Sequence, residues 1–267
     1  MSDEPEMVIP FDRLPPGFAE RVDAPDEAAP VSAAATAVLV RDATDAPELL
    51  LLKRHRSSGF VPGAYVFPGG RVDSGDSAQA LVELLGDVAR GPHASYWLGA
   101  VREVFEETGV LLARRRNGMP LDATHAQLAS WRDALLDHRA VLLDVMNALD
   151  ARPDISRTVY CSHWITPAAE PRRYDTRFFI SELPPGTEAT IDEREMSDVA
   201  WLTADVALQR YREGSLPMVF PTIKTIQMLA HYRSVDEMLG AFRDADVPAT
   251  LPRLVRTEDG VGIVLDE

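Results

Sequence analysis

The residues best suited to chemistry are three glutamates in AVREVFEETGV, from Ala100 to Val110: Glu103, Glu106 and Glu107. At about 100 degrees per residue they fall on one side of a helix, with Val101, Val104, Phe105 and Thr108 on the other. The apolar side would anchor the helix and leave the three carboxylates facing solvent. Like charges three and four residues apart repel by roughly a few tenths of a kcal/mol per pair in water, and by more when partly buried. A divalent cation would relieve that repulsion, and an oxygen-only donor set suits Mg2+ or Mn2+. A solvated acidic face is the plainer alternative. Two neighbours favour the cation: Gly69-Gly70, after Phe67-Pro68, let backbone approach a helix end or a phosphate, and Gly109 closes the helix with a residue that tolerates positive φ.

Such a helix needs a scaffold. VSAAATAVLVRD (31–42) and ELLLLKRH (48–55) are apolar runs that predict two strands joined by a hairpin-like loop. RSSGFVPGAYVFPGGRVDSGD, with five glycines and two prolines around Tyr65-Val66-Phe67, predicts a loop, a short strand and another loop. Leu81, Leu84, Leu85 and Val88 stand at helical spacing over 77–89, stopped by Gly91-Pro92, and the acidic helix follows over about 95–108. Two amphipathic helices are predicted over 124–149, with Leu128, Trp131 and Leu135, then Val141, Leu142, Val145 and Leu149 as their buried stripes. RTVYCSHWIT, RRYDTRFFISEL and EMSDVAWLT predict three further strands. Helices return over 204–213, 221–232 and 235–242, and LVRTEDGVGIVL predicts a hairpin with Asp259-Gly260 at its turn.

Bulk properties bound what this scaffold can serve. The chain has 267 residues, enough for one sizeable core with insertions. A net charge of -15 opposes long-range attraction of a nucleic-acid polymer, while bound divalent ions could still draw a small anionic substrate. No apolar run is long enough to span a bilayer, and the amino end lacks the basic start and apolar stretch of a secretion signal, so a cytoplasmic protein is expected. The single cysteine, Cys161, excludes an internal disulfide framework and a multi-thiolate zinc site, and reads as a core residue. The chain carries no G-x-S-x-G, no G-x4-G-K-[ST] and no paired cysteines.

Arg102-Glu103-Val104-Phe105-Glu106-Glu107-Thr108-Gly109-Val110, with Gly70 upstream, resembles the Nudix box, G-x5-E-x7-R-E-U-x-E-E-x-G-U with U a bulky aliphatic residue. The second half matches throughout. Asp76 stands where the family has its first glutamate, and residues 77–101 fill a gap normally seven long. That interruption is itself similar to the long-insertion acyl-coenzyme A diphosphatases of mammalian peroxisomes. The likeness extends to GFVPGAYVFPGG, to ASWRD (129–133), and to HWITP followed by RRYDTRFFI, covering roughly residues 33–203.

The resemblance implies an α+β Nudix fold, a mixed β-sheet sandwiched between α-helices, with helical insertions at about 77–94 and 122–150. Residues 1–32 would be a flexible amino-terminal tail, 33–245 the hydrolase domain, and 246–267 a hairpin or tail. Glu103, Glu106, Glu107 and Gly70 would hold Mg2+ or Mn2+. Arg102 would orient the cluster, and Glu103 or Glu195 would serve as base. Arg54, Arg56 and Arg71, with Lys53, flank the FPGG turn and could meet phosphates, and Arg172, Arg173 and Arg177 could meet an outer phosphate. His55 and His163 are expected to be packing or surface residues. The implied reaction cleaves the diphosphate of coenzyme A or acyl-coenzyme A to (acyl-)4'-phosphopantetheine and 3',5'-ADP. The alternatives are ADP-ribose, dinucleoside polyphosphates or nucleoside triphosphates as substrate, or a nucleotide-binding domain without catalysis. The family's coenzyme A signature is met only in part, since Gly59 stands where it has an arginine. The insert over 124–149 could shape an acyl pocket or be plain scaffold, and a homodimer is compatible with all of these readings.

Overall fold

The structure, a computed structural model, describes residues 4–23, 28–58, 61–86 and 93–265. In chain order its elements are β1 (Met7–Pro10), α1 (Phe18–Asp23), β2 (Val31–Arg41), β3 (Glu48–Arg54), β4 (Tyr65–Val66), β5 (Gly69–Arg71), α2 (Gln79–Glu83), α3 (Ala94–Thr108), β6 (Ala113–Arg115), α4 (His125–Leu136), α5 (Leu142–Ala148), β7 (Ala151–Pro153), β8 (Thr158–Ile165), β9 (Arg173–Glu182), β10 (Met196–Thr203), α6 (Ala204–Arg212), α7 (Phe220–Leu229), α8 (Val235–Phe242), β11 (Ala249–Thr250), β12 (Arg253–Arg256) and β13 (Gly260–Val264).

The main sheet runs β10-β3-β2-β9-β8-β11, with β4 on β3 and β5 on β2. It is mixed: β2 pairs β9 in parallel, from Val31↔Arg173 to Val40↔Glu182, and β3 pairs β10 antiparallel. The apolar runs of β2 and β3 are covered on both faces, which is why they do not alternate with polar residues. Ala35, Ala37, Leu39, Leu50 and Leu52 meet one core layer, together with Leu98, Val101, Val104 and Phe105 of α3 and Leu142, Val145 and Met146 of α5. Val38, Val40, Leu49 and Leu51 meet the other, with Ile223, Ile226 and Leu229 of α7 and Met238 and Leu239 of α8. Helices on both faces of a mixed sheet are the expected sandwich.

Several expectations need correction. The lead-in over 1–32 is not structureless where it is described: β1 pairs antiparallel with β13, Met7 opposite Ile263, and Phe18 and Ala19 of α1 pack against Val261. A pairing partner at the far end of the chain leaves no local signal. The helix expected over 77–89 is limited to α2, followed by a turn; Leu81 and Leu85 are buried as expected, while Val88 and Gly91-Pro92 lie outside the described residues, as does Gly59. Val141 is 48% exposed rather than buried, because it is the N-cap of α5 and precedes the stripe. The three-residue strands β6 and β7, too short for a periodic signal, pair antiparallel across the α4–α5 insert.

Candidate active site

The acidic helix is α3. Its apolar side is buried, and Gly109 ends it in the left-handed region, with φ of 70° and its N–H on the Phe105 carbonyl. The acidic side does not face open solvent. β5 and the one-turn 3-10 helix Ser74–Ser77 lie along it, so that Glu107 is only 6% exposed and Glu103 and Glu106 are largely covered.

Two glycines set the approach. The Gly69 N–H donates to Glu107 Oε2 at 3.0 Å. A Cβ on Gly70 would stand 2.5–2.7 Å from the carboxylate of Glu103, so only glycine lets that carboxylate lie against the strand. Glu103 and Glu107, one turn apart on α3, therefore meet at the β5 backbone.

Arg102 lies 7% exposed beside them and donates in four directions. Its Nη1 reaches Glu103 Oε1 at 2.9 Å and Glu106 Oε2 at 2.8 Å, and its Nη2 reaches the Arg71 carbonyl at 2.7 Å. Toward Asp76 it offers a fork, Nε to Oδ1 at 3.0 Å and Nη2 to Oδ2 at 3.0 Å. Asp76 is held in turn by the Asp73 N–H at 2.8 Å. Arg102, expected to pair with one neighbouring carboxylate, engages three, those of Glu103, Glu106 and Asp76.

One guanidinium cannot offset four crowded carboxylates. Burial raises the pKa of Asp76, and the Arg102 contact only partly offsets it. Burial likewise raises Glu106, against the pull of Arg102. Glu103 is pushed up to about 7, by burial first and by Glu106 as well, against Arg102. Glu107 is raised well above the usual carboxylate range by burial and then by the charge of Glu103. Burial pulls Arg102 the other way, yet the charges of Glu103 and Asp76 outweigh it and keep the guanidinium protonated.

The fit to a cation can be tested on these atoms. Glu103 and Glu107 converge with the Gly70 backbone, an all-oxygen donor set with an unneutralised charge, which suits a hard divalent ion that keeps water and substrate oxygens in its remaining places. Glu106 points to Arg102 instead. Among the described residues no three acidic, imidazole or thiol side chains form a closed metal cluster.

The other expected residues fall on different parts of the molecule. Glu195 is exposed, in the loop before β10, and its charge reaches Glu107. That loop is stitched to the end of α3 by Thr190 N–H to the Thr108 carbonyl and Asp192 N–H to the Glu107 carbonyl, and to β3 by His55 N–H to the Glu195 carbonyl. Arg54 donates Nε to Ser58 Oγ and its charge also reaches Glu107. Arg56 is exposed, its stem near Gly63, and Arg71 is exposed beside Gly70. Lys53 stacks on Tyr65. Arg173 is tied to the Thr166 and Ala29 carbonyls, while Arg177 stacks on Tyr96 and bonds His93; neither sits with the carboxylates. His163 pairs with Asp175 at 2.6 Å and His55 with the Glu193 carbonyl. Cys161 is buried, with its thiol pushed up by desolvation, as a core residue should be.

Arg132 was not anticipated as a site residue. From α4 it donates Nε to the Glu106 carbonyl at 2.8 Å and Nη1 to Thr190 Oγ1 at 3.3 Å, joining the carboxyl end of α3 to the loop that carries Glu195. The only signal for it in the sequence was the ASWRD likeness.

A family model described as the NUDT19 Nudix domain matches residues 92–229. The acyl-coenzyme A diphosphatase NUDT19 of Xenopus laevis is 25% identical over 260 residues, covering 80% of this chain and 68% of that protein. The human protein of that name is 27% identical, covering 80% and 69%, and that of Gallus gallus 28%, covering 72% and 63%. The chain thus spans about two thirds of the length of these relatives. Among solved structures, a NUDIX hydrolase from Alicyclobacillus acidocaldarius is 27% identical with a TM-score of 0.66, covering 79% of this chain and 96% of that one.

Proposed function

Because this chain belongs to the Nudix family through a domain of the NUDT19 type, we propose that it is a divalent-metal-dependent diphosphatase that hydrolyses coenzyme A or acyl-coenzyme A. The observation that carries the reading is the meeting of Glu103 and Glu107 at the side-chain-free backbone of Gly69 and Gly70. The reaction adds water across the P–O–P bridge, giving 3',5'-ADP and (acyl-)4'-phosphopantetheine.

Glu103, Glu107 and the Gly70 carbonyl would hold Mg2+ or Mn2+, with Glu106 joining if it leaves Arg102. The ion, when bound, activates water and neutralises charge on the leaving phosphate. The protein's own part is positional and electrostatic. Arg102 fixes Glu103 and Glu106 and grips β5 through the Arg71 carbonyl, so the ligands keep their places as the substrate's charge arrives. Glu195, within electrostatic reach of Glu107 yet exposed, would take the proton from the attacking water, with Glu103 as a ligand; that electrostatic reach supports this choice of the two. Arg54, on the carboxylate side, and Arg56 and Arg71, on the adjoining surface, would meet phosphates.

No helix among the described residues is long and apolar enough to cross a membrane. A cytoplasmic protein acting on a small nucleotide-linked substrate, rather than on a nucleic-acid polymer, fits the net charge of -15. The test is a substrate panel with Mg2+ or Mn2+, read by product mass. Release of 3',5'-ADP from octanoyl-coenzyme A and coenzyme A is expected; preferential turnover of ADP-ribose, a dinucleoside polyphosphate or a nucleoside triphosphate would move the enzyme to another substrate class, and no turnover of any would leave a binding domain.

A further inference from the structure

A cleft of about 920 Å³ opens at the carboxyl end of α3, between α4, the β6 segment and the loop at 184–190. We infer that this cleft is the acyl-arm subsite: it takes the neutral, acylated pantetheine half of the substrate, while the nucleotide half lies on the Arg54 and Arg71 side of the carboxylates. This deepens the diphosphatase reading and rests on it.

Position is the first argument. Gly109, the C-cap of α3, lines the cleft, and so does Arg132, whose guanidinium holds the Glu106 carbonyl and the Thr190 hydroxyl and lies within electrostatic reach of Glu107. A substrate whose diphosphate meets Glu103 and Glu107 can pass this helix end with one of its two arms. The volume falls within the range of sites that enclose a drug-sized ligand.

Wall chemistry selects the arm. Leu111, Leu121 and Leu128 form the apolar part of the lining, and Asp133, Asp154 and Glu188 are its acidic members. Of the two arginines there, Arg114 is spent on Asp154 at 2.5 Å. Arg132 is engaged with the Glu106 carbonyl and Thr190 Oγ1, and its remaining Nη2 is buried rather than open to the cleft. A phosphorylated nucleoside would demand several charged donors for its phosphate. Apolar walls edged by carboxylates, with both arginines already engaged, match instead a neutral aliphatic arm and disfavour a phosphate. The ASWRD segment, with Ala129, Arg132 and Asp133 on the cleft, thereby gains a role.

The probe is S-octanoylpantetheine, which lacks the diphosphate, titrated into the full chain by calorimetry. Ala129 is exposed on the cleft, so Ala129→Trp fills it with little risk to folding; Ala126→Trp, exposed on the same helix but off the cleft, is the control. The expected result is binding to the wild type and to Ala126→Trp, weakened at least about tenfold in Ala129→Trp, with a matching fall in kcat/KM for octanoyl-coenzyme A relative to coenzyme A. Equal binding by wild type and Ala129→Trp, or none by either, overturns the subsite. The two readings fail separately: turnover of octanoyl-coenzyme A that Ala129→Trp leaves unchanged removes the cleft and keeps the diphosphatase, while cleft binding without turnover of any coenzyme A compound does the reverse.

Discussion

Arg102 and Asp76, 26 residues apart in sequence, meet as a buried fork, with Nε on Oδ1 and Nη2 on Oδ2, each at 3.0 Å. The long insertion leaves between these two residues and returns, so the box is interrupted in sequence but continuous in space. Asp76 takes the place of the pattern's first glutamate with a side chain one methylene shorter. The 3-10 turn Ser74–Ser77, where the Asp73 N–H donates to Asp76 Oδ2 and the Asp76 N–H to the Asp73 carbonyl, and the small Gly99, whose Cβ would come within 3.2 Å of Asp76 Oδ2, let it approach α3.

Removing Asp76 should therefore cost both stability and catalysis. Asp76→Ala leaves two buried donors of Arg102 facing an empty space, which costs about 3 kcal/mol. Because Arg102 acts by holding Glu103 and Glu106, kcat should fall about tenfold to a hundredfold with KM little changed. Urea denaturation and steady-state kinetics check the two parts, and an unaltered kcat would remove Arg102 from its positioning role.

What could be read from sequence follows from where the signals are local. The alternation of acidic and apolar residues along 100–110 gave α3 and its buried side, and the uninterrupted apolar runs of β2 and β3 gave strands covered on both faces. The glutamates were expected to face solvent, however, because periodicity describes one helix and not the strand laid across it: Gly69 and Gly70 of β5 bury Glu107. Glu103, Glu107 and Gly70 do come together, whereas the turn of Glu106 toward Arg102 depends on rotamers that no pattern encodes. The β1–β13 pairing and the tie from Arg132 to the Glu106 carbonyl are contacts between distant segments, and single-chain periodicity is blind to those.

Gly70→Ala isolates the glycine's purpose. The new Cβ would collide with the far end of the Glu103 side chain, which can swing away, so the melting temperature should stay within about 3 °C of wild type. The displaced carboxylate should cost about a hundredfold in kcat and weaken Mn2+ binding measured by calorimetry. Full activity in this variant would mean that Glu103 does not need its place against β5.

Glu107→Gln separates charge from shape. The amide oxygen can still accept from the Gly69 N–H, and the substitution removes a buried negative charge that Glu103 opposes. The metal-free protein should be as stable as wild type or about 1 kcal/mol more so. Turnover should fall more than about a hundredfold, and the thermal stabilisation by Mg2+ should shrink to near zero. A variant that stays active would break the assignment of Glu107 as a ligand.

Glu195→Gln tests the base. Its side chain is exposed and its loop is held by backbone bonds, so neither the fold nor Mn2+ affinity should change. Loss of the proton acceptor should lower kcat about a hundredfold. If kcat is retained in Glu195→Gln, the proton must go elsewhere.

The raised carboxylates make the metal-free protein sensitive to pH in a definite direction. A carboxyl whose folded pKa exceeds its unfolded value contributes stability that is complete below about 4.5 and is lost as pH rises through the folded value, here about 7 for Glu103. Asp76, Glu106 and Glu107 are raised as well and act in the same direction. The penalty from Glu103 alone is on the order of 3 kcal/mol. Asp154, held down by hydrogen bonds from Ser156 and Arg114 that outweigh its burial, adds stability above about 4 that is complete before this window opens. His93 works in the opposite sense, because burial and the Arg177 charge lower its pKa, so His93→Gln should steepen the loss. In chelator, the melting temperature should fall between pH 5 and pH 8. Mg2+ should restore it, with the gain larger at pH 8 than at pH 5, because the ion takes the place of the proton between Glu103 and Glu107. A metal-free melting temperature that stays level or rises across that range, in wild type and His93→Gln alike, would mean that these carboxylates are not crowded in solution.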